Sequence, residues 1–168
     1  EFRRVLFRSV MSLEKTFEGA LNKAVRSLEM NVQSLRWPVF AEKSDDALMA
    51  LLEEPNDLRL FAIGEAFWRQ YTVAEIAEQT LIQPYFLEKI AAVIQAEKEV
   101  AATGWENITE EKILQAKQYN ISDVQLAKLL HIEPAVLRQF YQNHGLAPHY
   151  RFVDTCPGTS GENSTYFY

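Results

Sequence analysis

The sequence has a single cysteine, Cys156, so no disulfide can close within the chain. One thiol and no recognisable secretion signal fit a reducing compartment, and the expectation is cytoplasmic. No apolar run approaches the ~20 residues that a membrane-spanning helix requires, so no membrane partner is expected. Basic clusters are missing from the body of the chain, and the formal net charge is −6. Nucleic-acid phosphates would select the opposite sign, so no nucleic-acid partner is expected either. Gly-rich phosphate loops are missing too: Gly64, Gly104 and Gly145 are isolated, and Gly158 and Gly161 lie in a Ser/Thr/Pro stretch. What is present is 48% hydrophobic and 24% charged residues, the balance of a folded domain of ordinary size.

Residues 1–9, Glu1-Phe-Arg-Arg-Val-Leu-Phe-Arg-Ser9, look like the in-frame translation of a common short-read sequencing adapter. They are set aside as an artefactual tail, although three Arg among apolar residues could also read as a basic anchor. Their three Arg and one Glu take a net +2 away from −6, leaving −8 for the rest. The other end, Thr165-Tyr-Phe-Tyr168, has strand propensity and no closing signal, and reads as interrupted.

The remainder reads as all-α. From Ser12, Leu13, Phe17, Ala20, Leu21, Ala24, Val25 and Leu28 form one helical stripe, with Asn22, Lys23 and Arg26 on the opposite face. Trp37-Pro38 interrupts any helical run. Ser44-Asp-Asp46 opens a helix ending near Glu54-Pro55, and Asn56-Asp57 caps a third. Thr72 and Glu75 form a capping box. Gln83-Pro84 opens a long helix with Leu87, Ile90, Ala91, Ile94 and Ala101 inward and Gly104 at its end. Thr109, Ser122 and Glu133-Pro134 start three more, and His149–Asp154 reads as a short extended C-terminal segment.

An internal repeat organises these helices. At a constant offset of 50, Thr72 matches Ser122, Glu75 matches Gln125, Ile76 Leu126, Ala77 Ala127, Ile82 Ile132, Pro84 Pro134, Leu87 Leu137 and Ile90 Phe140. Upstream, Ile63 matches Ile113 and Ala66 matches Ala116. Two similar helix-pair subdomains packed together are expected.

Each repeat also has the outline of a helix-turn-helix. Ala77 and Ala127 have a simpler role in letting two helices approach closely, and the second helices carry few groups able to read bases. Cys156 with His144 or His149 could form a nucleophile pair, but a lone thiol is more often packed. His131, His144 and His149 lack ligand spacing and have no joining carboxylate pair. Glu53-Glu54, Glu97 with Glu99, and Glu110-Glu111 read as solvated helix surface. Trp68, Tyr71, Tyr85 and Phe86 read as the packed seam between consecutive helices. The expectation is that this segment holds no catalytic, cofactor-binding or metal residue.

Several segments together resemble one family. Lys23-Ala-Val-Arg-Ser-Leu-Glu29, Arg59-Leu-Phe-Ala-Ile-Gly-Glu-Ala-Phe-Trp-Arg69, Thr72–Ile90 with Tyr85-Phe-Leu87, Ile121-Ser-Asp-Val-Gln-Leu-Ala127 and Pro148-His-Tyr-Arg-Phe-Val-Asp-Thr-Cys156 are similar to the connecting, oligomerisation-type domain of carbamoyl-phosphate synthase large chains. The resemblance covers residues 12–168. It departs where Pro157-Gly-Thr-Ser-Gly161 replaces two small residues and an acidic-aromatic pair, at Gln83 where an acidic residue is usual, and at Gln70 or Tyr71 where a glycine is usual.

The resemblance implies a helical connecting domain over residues 10–155 and a truncated linker over 156–168 leading toward a second ATP-grasp half. It implies a parent ligase that makes carbamoyl phosphate from bicarbonate, ammonia and two ATP, with Mg2+ or Mn2+, for arginine and pyrimidine synthesis. The implied partners are the two ATP-grasp halves of the same chain, further large chains in a homo-oligomer, and a glutaminase small chain. None of the family's nucleotide or metal motifs falls in this window, so no cofactor is expected in the segment itself. Two helical units would hold large domains at fixed separation and offer a face for self-association. The other readings of the residues are a free-standing helical interaction module and a helix-turn-helix regulator.

Overall fold

Side-chain caps set the helix starts. In the computed structural model, which describes residues 10–147 except residue 29, Thr16, Ser44, Thr72, Thr109 and Ser122 each accept a backbone N–H from the first turn of the helix that follows. The helices are α1 Phe17–Arg26, α2 Asp45–Glu53, α3 Arg59–Trp68, α4 Val73–Thr80, α5 Pro84–Thr103, α6 Glu110–Gln118, α7 Asp123–Leu129 and α8 Pro134–Asn143. Short 3-10 turns occupy Pro38–Phe40 and Trp105–Asn107. No strand occurs among the described residues, and the segment expected to be extended, His149–Asp154, lies outside them.

The capping box at the start of α4 is complete: Glu75 Oε2 accepts from the Thr72 N–H at 2.7 Å while Thr72 Oγ1 accepts from the Glu75 N–H. Pro84 and Pro134 stand in the first turns of α5 and α8, where a missing N–H costs nothing. Gly104 ends α5 at φ 67, with open space where a Cβ would stand.

Two boundaries differ from the sequence reading. Asn56-Asp57 does not cap α3, which starts at Arg59 with Leu58 at its cap position and no side-chain cap, while Asn56 Oδ1 accepts from the Leu58 N–H. The first helix starts at Phe17, not near Ser12, because Thr16 takes the cap and Ser12 turns its hydroxyl onto the Ala20 carbonyl. It also stops at Arg26, well short of Trp37, and the described residues between 27 and 37 run without helix across the first unit.

The offset of 50 recurs in the backbone. α3, α4 and the start of α5 correspond to α6, α7 and the start of α8. Gln70 and Asn120 both lie in the left-handed region, with φ of 71 and 55, as do Leu81 and His131 with φ of 56 and 54. After each turn an N–H returns to the same carbonyl, Tyr71 to Ala66 and Ile121 to Ala116. Gln70 thus holds a positive φ that a glycine would adopt without strain.

Two apolar clusters form, one for each unit. The larger gathers Val25, Leu35, Phe40, Leu48, Leu52, Phe61, Ile76, Leu87, Ile90 and Ile94; the smaller gathers Val100, Ile113, Ile121, Leu126, Leu130 and Leu137. α5 enters both, and Tyr119 packs on both from the side. Its neighbours are α1, α3, α4, α6 and α7, so α5 is the axis of the fold.

Candidate functional site: a polar joint and an exposed aromatic face

The joint begins with the motif Arg59–Arg69 on α3. Its position 64 must be glycine, because a Cβ there would stand 2.3 Å from the Leu35 carbonyl oxygen. The contact seats residues 34–36 directly on α3. At the next position, the buried carboxylate of Glu65 accepts from Arg36 Nε at 3.0 Å through Oε2 and from Arg69 Nε at 3.1 Å through Oε1. Two guanidinium groups on one carboxylate offset the cost of taking it out of water.

Arg69 does more than pair with Glu65. Its guanidinium donates to the carbonyls of Phe40 and Lys43 at 2.9 and 2.8 Å and to Asp45 Oδ1 at 2.6 Å. The bond to Asp45, together with Glu65, raises its pKa above the ordinary arginine value despite desolvation. The Arg36 guanidinium lies over the Trp68 ring, its carbon 4.0 Å from the ring centre. Arg59, at the other end of the motif, donates to the Leu52 carbonyl at 2.7 Å and the Thr80 carbonyl at 2.8 Å, closing the ends of α2 and α4. The polar residues of this motif therefore hold backbone in place.

A second strip of polar contacts joins the two units. Asn22 Nδ2 donates to the Tyr119 carbonyl at 2.8 Å, Arg26 donates to the Asn120 carbonyl and to its Oδ1, and Asn120 Nδ2 donates to Glu14 Oε1 at 2.6 Å. Ser122 Oγ donates to Gln33 Oε1 at 3.2 Å. The face of α1 opposite the apolar stripe is thus turned toward the second unit, which supplies polar backbone for it. Asn22 is buried, and Arg26 is desolvated enough to pull its pKa below the ordinary value against the opposing charge of Glu14.

Glu97 is the larger correction. Read as solvated surface beside Glu99, it is fully buried on α5, accepting from Ser34 Oγ at 3.1 Å. Glu99 does face outward, with Gln95 and Lys112 as neighbours.

The aromatic residues divide. Trp68 and Tyr71 pack on the larger cluster as expected. Tyr85 and Phe86 do not: they are 54% and 41% exposed and form an outward cluster with Phe17, which is 39% exposed. Phe86 lies 5.6 Å from Phe17 and 5.4 Å from Tyr85, centroid to centroid. Just before them Leu81 is 89% exposed and held at φ 56, an apolar side chain in water on a strained backbone. At the place matching Phe86 in the second repeat, Val136 is also exposed.

The remaining candidates do not converge. His131 sits alone at a positive-φ turn, and His144 stacks on Phe140 at 4.0 Å with Nδ1 2.9 Å from the Phe140 carbonyl oxygen. His149 and Cys156 lie outside the described residues. Among the described residues no group of three or more His, Cys, Asp and Glu is placed to hold a metal. An open groove of about 720 Å³ runs beside α5, but Lys98 on its wall is tied to the Phe67 carbonyl at 2.9 Å. As a helix-turn-helix reader the start of α5 is poorly equipped, since its outward side chains include Tyr85 and Phe86 and its Lys89 is paired with Glu18 at 3.0 Å. No helix of the described residues is long and apolar enough to cross a membrane.

Comparison with known proteins gives this arrangement a setting. The sequence pattern of the family described as carbamoyl-phosphate synthetase large chain, oligomerisation domain, matches residues 9–145. The chain is 35% identical over 159 residues to the carbamoyl phosphate synthase arginine-specific large chain of Halalkalibacterium halodurans, covering 95% of this chain and 15% of that protein. It is 36% identical over 159 residues to the carbamoyl phosphate synthase large chain, N-terminal section, of Aquifex aeolicus, covering 95% of this chain and 28% of that one. The chain thus spans less than a third of the length of either curated relative.

Proposed function

Since the chain belongs to the carbamoyl-phosphate synthetase large-chain oligomerisation-domain family, we propose that it serves as the non-catalytic connecting and self-associating domain of such a large chain. The observation that supports self-association most directly is the outward aromatic cluster of Phe17, Tyr85 and Phe86 beside the strained, exposed Leu81. A folded domain keeps such a surface at a cost in hydration and backbone strain, which contact with a second copy offsets.

The parent enzyme under this reading makes carbamoyl phosphate from bicarbonate, ammonia and two ATP, with Mg2+ or Mn2+ at sites outside this segment. Its two ATP-grasp halves flank the helical domain, with the boundary near residue 155, and a glutaminase small chain supplies ammonia. The setting is the cytoplasm, with arginine and pyrimidine synthesis as the pathways served; the arginine-specific relative speaks for the first of these. Neither nucleic acid nor membrane is a partner. The contribution of residues 10–155 is mechanical: two helical units keyed together by polar contacts hold the halves at a set separation.

Two experiments test this. Sequencing the native locus through both ends of the chain should show the frame continuing into ATP-grasp domains; a frame confined near Met11 to Tyr168 overturns the enzyme role. Light scattering across a concentration series should show mass rising above that of one chain, and Phe86→Asp should return it to a single chain without loss of helix content. A single-chain mass at high micromolar concentration overturns self-association through this domain.

A further inference from the structure

Glu97 lies where the two units meet. On α5 it falls between Ile94, in the larger cluster, and Val100, in the smaller one, with no exposed surface. Ser34 of the 27–37 segment, itself 2% exposed, donates its hydroxyl to Glu97 Oε2 at 3.1 Å and accepts the Arg36 N–H at 2.9 Å. Gln125, buried on α7, approaches from the second unit as a further hydrogen-bonding group. Oε1 makes no hydrogen bond of ordinary length, an expensive position for a carboxylate oxygen away from water.

The charged groups that bear on Glu97 are Arg36 from the 27–37 segment and Lys128 from α7. Neither pairs with it directly: Arg36 is committed to Glu65 and to the face of Trp68, and Lys128 is exposed. The site therefore suits a neutral acid. Ser34 and Gln125 can donate to the charged form, but the full burial of the carboxyl outweighs them.

We propose that Glu97 is a proton-operated latch that, when neutral, holds residues 34–36 of the first unit and α7 of the second against α5, and that loosens this three-way contact when it ionises. Other side-chain contacts between the units, Asn22 with Tyr119, Arg26 and Glu14 with Asn120, and Gln33 with Ser122, are polar and can be replaced by water when the units part. Burial raises the Glu97 carboxyl from 4.5 to about 7, against the lowering effects of Ser34, Gln125, Arg36 and Lys128. A raised closed-state value means closure is favoured most below the open-state value near 4.5 and is lost as pH rises through about 7. The latch does not depend on self-association, so it can fail or stand independently of that reading.

The test is a carboxyl ¹³C titration of the full chain, with amide exchange of residues 34–36 and α7 at about pH 5 and about pH 8, corrected for intrinsic exchange chemistry. Glu97 should titrate near 7, and protection in both segments should fall by roughly tenfold or more toward the higher pH. Glu97→Gln, which fixes the neutral shape, should abolish the fall. A carboxyl titrating near 4.5, or an equal fall in Glu97→Gln, overturns the latch. Should Glu97→Gln fail to fold, Ser34→Ala decides: loss of its donated bond should move the Glu97 midpoint upward, and an unmoved midpoint overturns the proposal.

Discussion

Asn22 on the first helix donates a hydrogen bond of 2.8 Å to the main-chain carbonyl of Tyr119, 97 residues further along the chain, and both partners sit at the contact between the two units. Replacing Asn22 by Ala leaves that carbonyl without its donor in a buried place. The cost should be about 1–3 kcal/mol, read as a shift of the urea midpoint. An unchanged midpoint would mean that water takes over the bond at no cost.

Gly64→Ala sets two effects against each other. In a helix interior the exchange favours Ala by roughly 1 kcal/mol. Here the added methyl would lie 2.3 Å from the Leu35 carbonyl oxygen, which belongs to backbone and has no rotamer by which to retreat. The clash should win, with a net loss of about 2 kcal/mol or more in thermal or urea unfolding. At the equivalent place in α6 stands Leu114, 45% exposed, so the second unit is uncovered where the first is covered by residues 34–36.

Leu87→Ala should cost on the order of 2–5 kcal/mol, since Leu87 has no exposed surface in the larger cluster and the cavity cannot be filled by a flexible neighbour at the surface. A urea melt showing less than about 1 kcal/mol lost would place Leu87 outside the packed core.

Asp123, the first residue of α7, accepts from Lys117 and from the Tyr141 hydroxyl, the latter at 2.8 Å. Burial alone would raise its carboxyl, but the two hydrogen bonds and the nearby charges of Lys117 and Arg138 bring it below the ordinary 3.8. A depressed value means that its contribution is present above 3.8 and is lost as pH falls through the lower, folded value. Asp123→Asn should therefore lower the melting temperature at neutral pH, and the gap from the parent should narrow below about pH 3.8. A gap that stays constant into acid would assign the loss to packing.

Four helix starts were legible in the sequence because a cap is local: Ser44, Thr72, Thr109 and Ser122 each act on a backbone N–H three residues away. The offset of 50 was legible for the same reason, since equal spacing of caps, prolines and apolar residues needs no knowledge of tertiary contacts. Glu97 was not. Its neighbours Lys98 and Glu99 look like a solvated turn, and what buries it is Ser34, 63 residues earlier, and Gln125 on a later helix. The partner of Asn22 was not legible either, because a polar side chain facing another unit's carbonyl has the same signature as one facing water. Tyr85 and Phe86 failed in the opposite sense. Aromatic residues at helical spacing imply a packed seam, and only the positions of α1 and α4 show that these two are left outside.

The 20 residues of α5 give it a length of about 30 Å at the helical rise of 1.5 Å per residue. Gripped near its first turns by one apolar cluster and near its last by the other, it is a lever arm. A tilt of about 10° at one grip sweeps the far end through an arc of about 5 Å. Any part of a larger protein attached beyond either end would receive that displacement whole, so a small rearrangement around Glu97 would be felt as a change in reach.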